Sequence, residues 1–83
     1  MRAEDLLPDD QTYVERNGVT IRKGSVGAFL ANAKVWCDSS AEAGERLVAE
    51  RHIAEVVPAL RALGLFDVFA IRDPALQQLI DAQ

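Results

Sequence analysis

The feature that most constrains this chain is the pair Asn17-Gly18, set between two short segments that alternate apolar and polar residues. Asn-Gly is the preferred occupant of a type I′ turn, in which both central residues need a positive φ. With these residues at the tip, Arg16 is predicted to pair with Val19, Glu15 with Thr20, Val14 with Ile21 and Tyr13 with Arg22. Val14, Val19 and Ile21 then share one face with Arg16 at the rim, and Tyr13, Glu15, Thr20 and Arg22 share the other. That is the pattern of a ribbon buried on one side.

A two-stranded ribbon is marginal in water and needs helices or a third strand to cover it. The downstream sequence supplies candidates for both. Gly24-Ser25 breaks the strand, with Ser25 read as a helix N-cap, and Val26, Phe29, Leu30, Ala33, Trp36 and Cys37 recur at helical spacing. This predicts a first helix over 25–37 whose apolar line is Val26, Leu30, Ala33 and Cys37, flanked by Phe29 and Trp36, with Val35 pointing away. Ser39-Ser40-Ala41-Glu42 reads as a capping box with Ser39 as cap, which predicts a long helix over 40–63. Its core stripe is Ala49, Ile53, Val56, Leu60 and Leu63 with Val57 beside it, and Gly64 stands where a left-handed C-terminal cap belongs. Pro58 falls opposite that stripe, so a kink there bends the helix around the core.

Residues 65–71, Leu-Phe-Asp-Val-Phe-Ala-Ile, are short, aromatic and β-branched. They are read as a buried third strand, with a helical turn as the alternative, since periodicity cannot arbitrate so short a run. Asp73-Pro74 resembles an N-cap followed by proline at the first helical position, opening a last helix with Leu76, Leu79 and Ile80 on its apolar side. The expected fold is α+β, in the order β-β-α-α-β-α. Residues 1–12 are expected to form an acidic, partly flexible lead-in, in which Leu6 and Leu7 could make a docking turn, and 13–83 a single domain.

Composition narrows the function classes. The chain has 83 residues, 49% hydrophobic and 27% charged, with a net charge of −4, and these values suit a globular domain. A domain of this size buries about 60% of its unfolded surface, so a partner subunit adding a few kcal/mol would matter. Glu4, Asp5, Asp9 and Asp10 against Arg2 concentrate the negative charge at the start, and Arg22-Lys23 is the only adjacent basic pair. The charge footprint of a nucleic-acid binder is therefore missing. No apolar run approaches a membrane span, and the first residues lack the apolar stretch of a signal peptide. A cytoplasmic protein is expected, and the single cysteine fits a reducing compartment.

Each candidate site has a plainer reading beside it. Arg22, Lys23, Gly24 and Ser25 lead into a helix N-terminus and could hold a phosphate or carboxylate, but the spacing is not that of a phosphate loop and an ordinary turn explains it as well. His52 is the only histidine; with one or two carboxylates from Glu45 and Glu55 it could hold a metal only weakly, where a zinc site normally takes three or four protein ligands, so it reads as a boundary or subunit-contact residue. Cys37 sits at a helix C-terminus next to Asp38, where both oppose thiolate formation, so it is expected to be an inert core residue. Phe29 and Trp36 could form a stacking platform but read as core. Asp67, inside an apolar run, is either an edge position facing water or a buried group with a partner. Glu42 and Arg46 are spaced for a helical ion pair.

Leu-Pro at 7–8, Asn17-Gly18, Lys23-Gly24-Ser25-Val26, Phe29-Leu30-Ala31-Asn32-Ala33 and Leu63-Gly64-Leu65-Phe66-Asp67 together resemble small bacterial proteins of unknown function, over residues 7–69. The resemblance implies a bacterial cytoplasmic protein and carries no activity, ligand or catalytic residue. With no catalytic, cofactor-binding or metal residues to assign, the expected function is a non-catalytic interaction, adaptor or regulatory protein, most simply a homodimer, without nucleic acid or membrane partners. Val35, Leu47 and Val48, which lie off the main helix stripes, and His52, on the flank of the long helix's apolar face, are its candidate interface residues. The alternatives are an anion or small-ligand module at the start of the first helix, and a small enzyme or accessory subunit using Asp67 and His52.

Overall fold

A computed structural model describes residues 13–16, 18–22 and 24–83. The expectations for residues 1–12, Asn17, Lys23 and the side-chain facing of Val14 and Arg16 lie outside the described residues. Strands β1 (Tyr13–Arg16) and β2 (Val19–Arg22) run antiparallel, with Tyr13 opposite Arg22, Val14 opposite Ile21, Glu15 opposite Thr20 and Arg16 opposite Val19. Gly18 between them has φ 77°, a value that favours glycine. Ile21 is buried and Val19 half-buried, while Tyr13, Glu15, Thr20 and Arg22 are exposed. The buried face of β2 packs on the long helix.

Four helices follow among the described residues: α1 (Ser25–Cys37), α2 (Ala43–Leu63), α3 (Leu65–Val68) and α4 (Pro74–Asp81). The described chain is thus mostly helical, and the expected third strand is a correction. Gly64, at φ 83°, turns the chain out of α2, after which Asp67 N–H donates to the Gly64 carbonyl (3.1 Å) and Phe69 N–H to that of Leu65 (2.9 Å). A helical turn satisfies these backbone groups locally, whereas a strand would need a neighbouring edge. Consecutive Leu65 and Phe66 then both pack on the core, which a flat strand would prevent.

The helix boundaries and faces carry three further corrections. Gly24, at φ 82°, precedes α1, and Ser25 is its first residue. The Ser25 hydroxyl does not cap; it donates to the Arg22 carbonyl (2.8 Å), tying the helix start to the strand end. On α1 the buried side centres on Phe29, with Ala33 and Trp36 packed beside it, whereas Val26, Leu30 and Cys37 are exposed. The core against α2 takes the two large rings, so the helix turns them inward together with Ala33 and leaves Val26, Leu30 and Cys37 outward. Helix α2 begins at Ala43 and not at Ser40. Asp38 intervenes: its carboxylate accepts from both the backbone N–H (2.9 Å) and the hydroxyl (2.7 Å) of Ser40, a local turn that competes with helix.

The core is one cluster of Phe29, Ile53, Val57, Leu60, Leu76 and Ile80, with Leu65, Phe66 and Ile71 packed at its edge. Phe29 and Phe66 meet edge to face, centroids 6.2 Å apart at 78°. Pro58 lies inside α2 on the exposed side. Asp73 caps α4, accepting from the Leu76 N–H at 3.0 Å, with Pro74 opening the helix. Arg61 closes its far end, donating to the carbonyls of Ile80 and Gln83, both at 2.8 Å. Among the described residues, no helix is long and apolar enough to cross a membrane.

Candidate functional site

The outer surface between α1 and α2 carries two open clefts that meet at Asn32 and His52, which line both. The upper cleft, about 400 Å³, lies where the ribbon meets the two helices. Arg22, Gly24 and Ser25 form one wall, and His52 and Glu55 belong to the other. The fold therefore gathers three of the four anion-binding candidates with the single histidine, while Lys23 is outside the described residues. Two details oppose a simple anion site. The Ser25 hydroxyl proton is already used on Arg22, and the Glu55 carboxylate shares the cleft.

The lower cleft, about 590 Å³, is framed by Val35 of α1 and by Val48, Ala49 and His52 of α2, with Glu42, Gly44 and Glu45 at the helix entrance. Three of the four interface candidates, Val35, Val48 and His52, thus line one groove. The fourth, Leu47, does not: it is 63% exposed and one residue, hence about 100° of helical rotation, away from Val48. Val48 is itself 49% exposed.

The two helices are also joined, outside the groove lining, by polar contacts that the sequence pattern does not announce. Trp36 Nε1 donates to Glu50 Oε1 at 3.2 Å, Arg46 Nε donates to the Trp36 carbonyl at 3.0 Å, and the Arg46 guanidinium lies 5.7 Å from the Trp36 ring centre. The expected helical partnership of Glu42 with Arg46 gives way to this one. Glu42 is the residue preceding α2, where helical side-chain spacing does not yet apply, and Trp36 offers Arg46 both its backbone carbonyl and the π face of its indole.

The remaining candidates lie elsewhere. Cys37 is exposed, which corrects its assignment to the core, and its thiol is held above the ordinary value of 9.0. Local desolvation contributes most, followed by the charge and hydrogen bond of the Asp73 carboxylate, while Arg46 acts in the opposite direction. Asp67 is exposed on α3 and lines neither cleft, so the structure does not bring it together with His52. Among the described residues, no group of three or more His, Cys, Asp or Glu side chains could hold a metal ion. Asn32, at the junction of the two clefts, was missed by reading α1 only for its apolar line.

Comparison with known proteins finds no matching family model, no matching curated protein and no matching solved structure.

Proposed function

We propose that this chain is a non-catalytic interaction protein of the adaptor or regulatory kind, acting as a homodimer through the outer surface of α1 and α2. The observation that carries this reading is the apolar surface left at the start of the longest helix: Val48 is 49% exposed on the wall of a groove that Val35 and Ala49 continue. A chain of this size buries a modest fraction of its surface, and an exposed apolar ridge beside a groove is the usual mark of an interface. Residues 13–83 act in this reading as one domain. Sedimentation equilibrium over a wide concentration range tests it: a dimer mass is expected in the micromolar range, and a single 9.1 kDa species at high micromolar concentration overturns the dimer.

A second reading, an anion or small-ligand module, is supported by the convergence of Arg22, Gly24, Ser25 and His52 on the upper cleft. Titration with inorganic phosphate separates the two. Saturable chemical-shift changes confined to those residues favour the ligand module, and unchanged spectra favour the interaction protein. The enzyme reading gains no support here, because Asp67 lines neither of the two clefts that His52 joins.

A further inference from the structure

We infer that the occupant of the lower groove is helix α2 of a second copy, lying antiparallel with the molecular two-fold axis at Val48; this rests on the homodimer reading above and specifies its register. The structure removes most of the alternatives. Ile53 is fully buried in its own core, and Arg46 is engaged by Trp36, so neither can meet a mate. Leu47 is turned onto the other flank of α2. Gly44, Glu45, Val48, Arg51, His52 and Glu55 are exposed on the face that remains.

An antiparallel pair centred on Val48 places each residue opposite the one equally far beyond it on the other chain. Glu45 then meets the partner subunit's Arg51, and symmetry repeats the pair, giving two opposite-charge contacts around an apolar centre. Gly44 meets the partner subunit's His52. Gly44, the second residue of α2, leaves open space at this point, since a Cβ there would touch no atom within 4 Å among the described residues. That space is where an imidazole packs across the seam. Other centres do not reproduce this: an axis at Glu45 or Arg51 sets like charges against each other, and one at His52 places Glu45 opposite Ala59 and Arg51 opposite Ile53, leaving every charge unpaired.

Two measurements on the full chain test the register. The first uses Val48→Cys in a Cys37→Ser background, because the natural thiol is exposed. A residue on a two-fold axis is its own neighbour, so mild oxidation should cross-link the Val48→Cys chain into a dimer, whereas Leu47→Cys in the same background stays single. The second reverses charges. Glu45→Arg and Arg51→Glu should each weaken the dimer by about tenfold, and the two together should restore it to within about threefold, since each weak pair occurs twice. Failure of the cross-link or of the rescue, in a chain that still sediments as a dimer, overturns the register and leaves the homodimer reading standing. A chain that sediments as a monomer at high micromolar concentration removes both.

Discussion

The two halves of α2 are built on opposite terms. From Ile53 onward the helix drives side chains into the core: Ile53, Val57 and Leu60 are each 0% exposed, and Phe29, Leu76 and Ile80 close around them. Before Ile53 only Ala49 is buried, and Leu47 and Val48 stand largely in solvent. What holds the first half is polar: the Trp36–Glu50 and Arg46–Trp36 hydrogen bonds and the guanidinium against the indole. One helix therefore contains a half anchored by apolar burial and a half pinned by a few directional contacts. The second arrangement leaves apolar side chains free, and that is where an interaction protein needs them.

The difference can be tested by substitution, beginning with the core half. Leu60→Ala should destabilise the chain by about 2–5 kcal/mol, because it empties a fully enclosed site, read from urea unfolding. A loss below about 1 kcal/mol would mean that the core half is no better anchored than the other. Trp36→Phe keeps a ring and deletes the indole N–H. It should cost about 1 kcal/mol, the usual net value of one hydrogen bond, and it should loosen the amides of residues 43–51 in hydrogen exchange more than those of 53–63. Uniform loosening would deny the division between the halves.

The smallest effect concerns the entrance to the polar half. The Asp38 carboxyl lies below its ordinary value of 3.8, held down first by the Ser40 hydroxyl and then by the Ser40 backbone N–H. A lowered folded-state value means that stability is present above pH 3.8 and is lost as pH falls through the folded value. In Asp38→Asn, the decline of melting temperature below that pH should be shallower than in the parent chain. An identical acid slope in both would show that this turn contributes nothing to the start of α2.

Much of this arrangement is legible from residue types that act locally. Asp73-Pro74 announces α4 because a carboxylate can accept the Leu76 N–H and proline needs no donor at the first helical position. Gly64 announces the end of α2 because φ 83° strains any other residue except, to a degree, asparagine. Ala49, Ile53 and Leu60 of the expected stripe are buried as the helical period predicts, whereas Val57, expected beside it, is fully buried and Val56 and Leu63 are only half-buried. The misreadings share a cause: each concerns a competition that local pattern does not resolve. Ser39 to Glu42 has the letters of a capping box, yet Asp38 takes Ser40 first. Residues 65–71 have strand composition, but 65–68 close a helical turn that satisfies its own N–H groups on the Gly64 and Leu65 carbonyls. Cys37 has helical spacing on an apolar line, but Val26, Leu30 and Cys37 of that line face outward once Phe29 and Trp36 turn in.

The candidate groove was legible only in pieces. Val35 and Val48 stand out as apolar residues off their stripes, and Arg22 and Ser25 as neighbours of a helix start, but nothing in the linear order says that His52 joins both sets. That depends on how α1 lies across α2 and on where β2 rests. By itself, the sequence determined the features governed by contacts within a few residues: turn glycines, the last helix cap, helix existence and the core period of α2. Only the tertiary structure decided which face of α1 is buried, whether residues 65–68 coil or extend, and which side chains share a cleft, because those outcomes depend on competition among distant surfaces for the same apolar contacts.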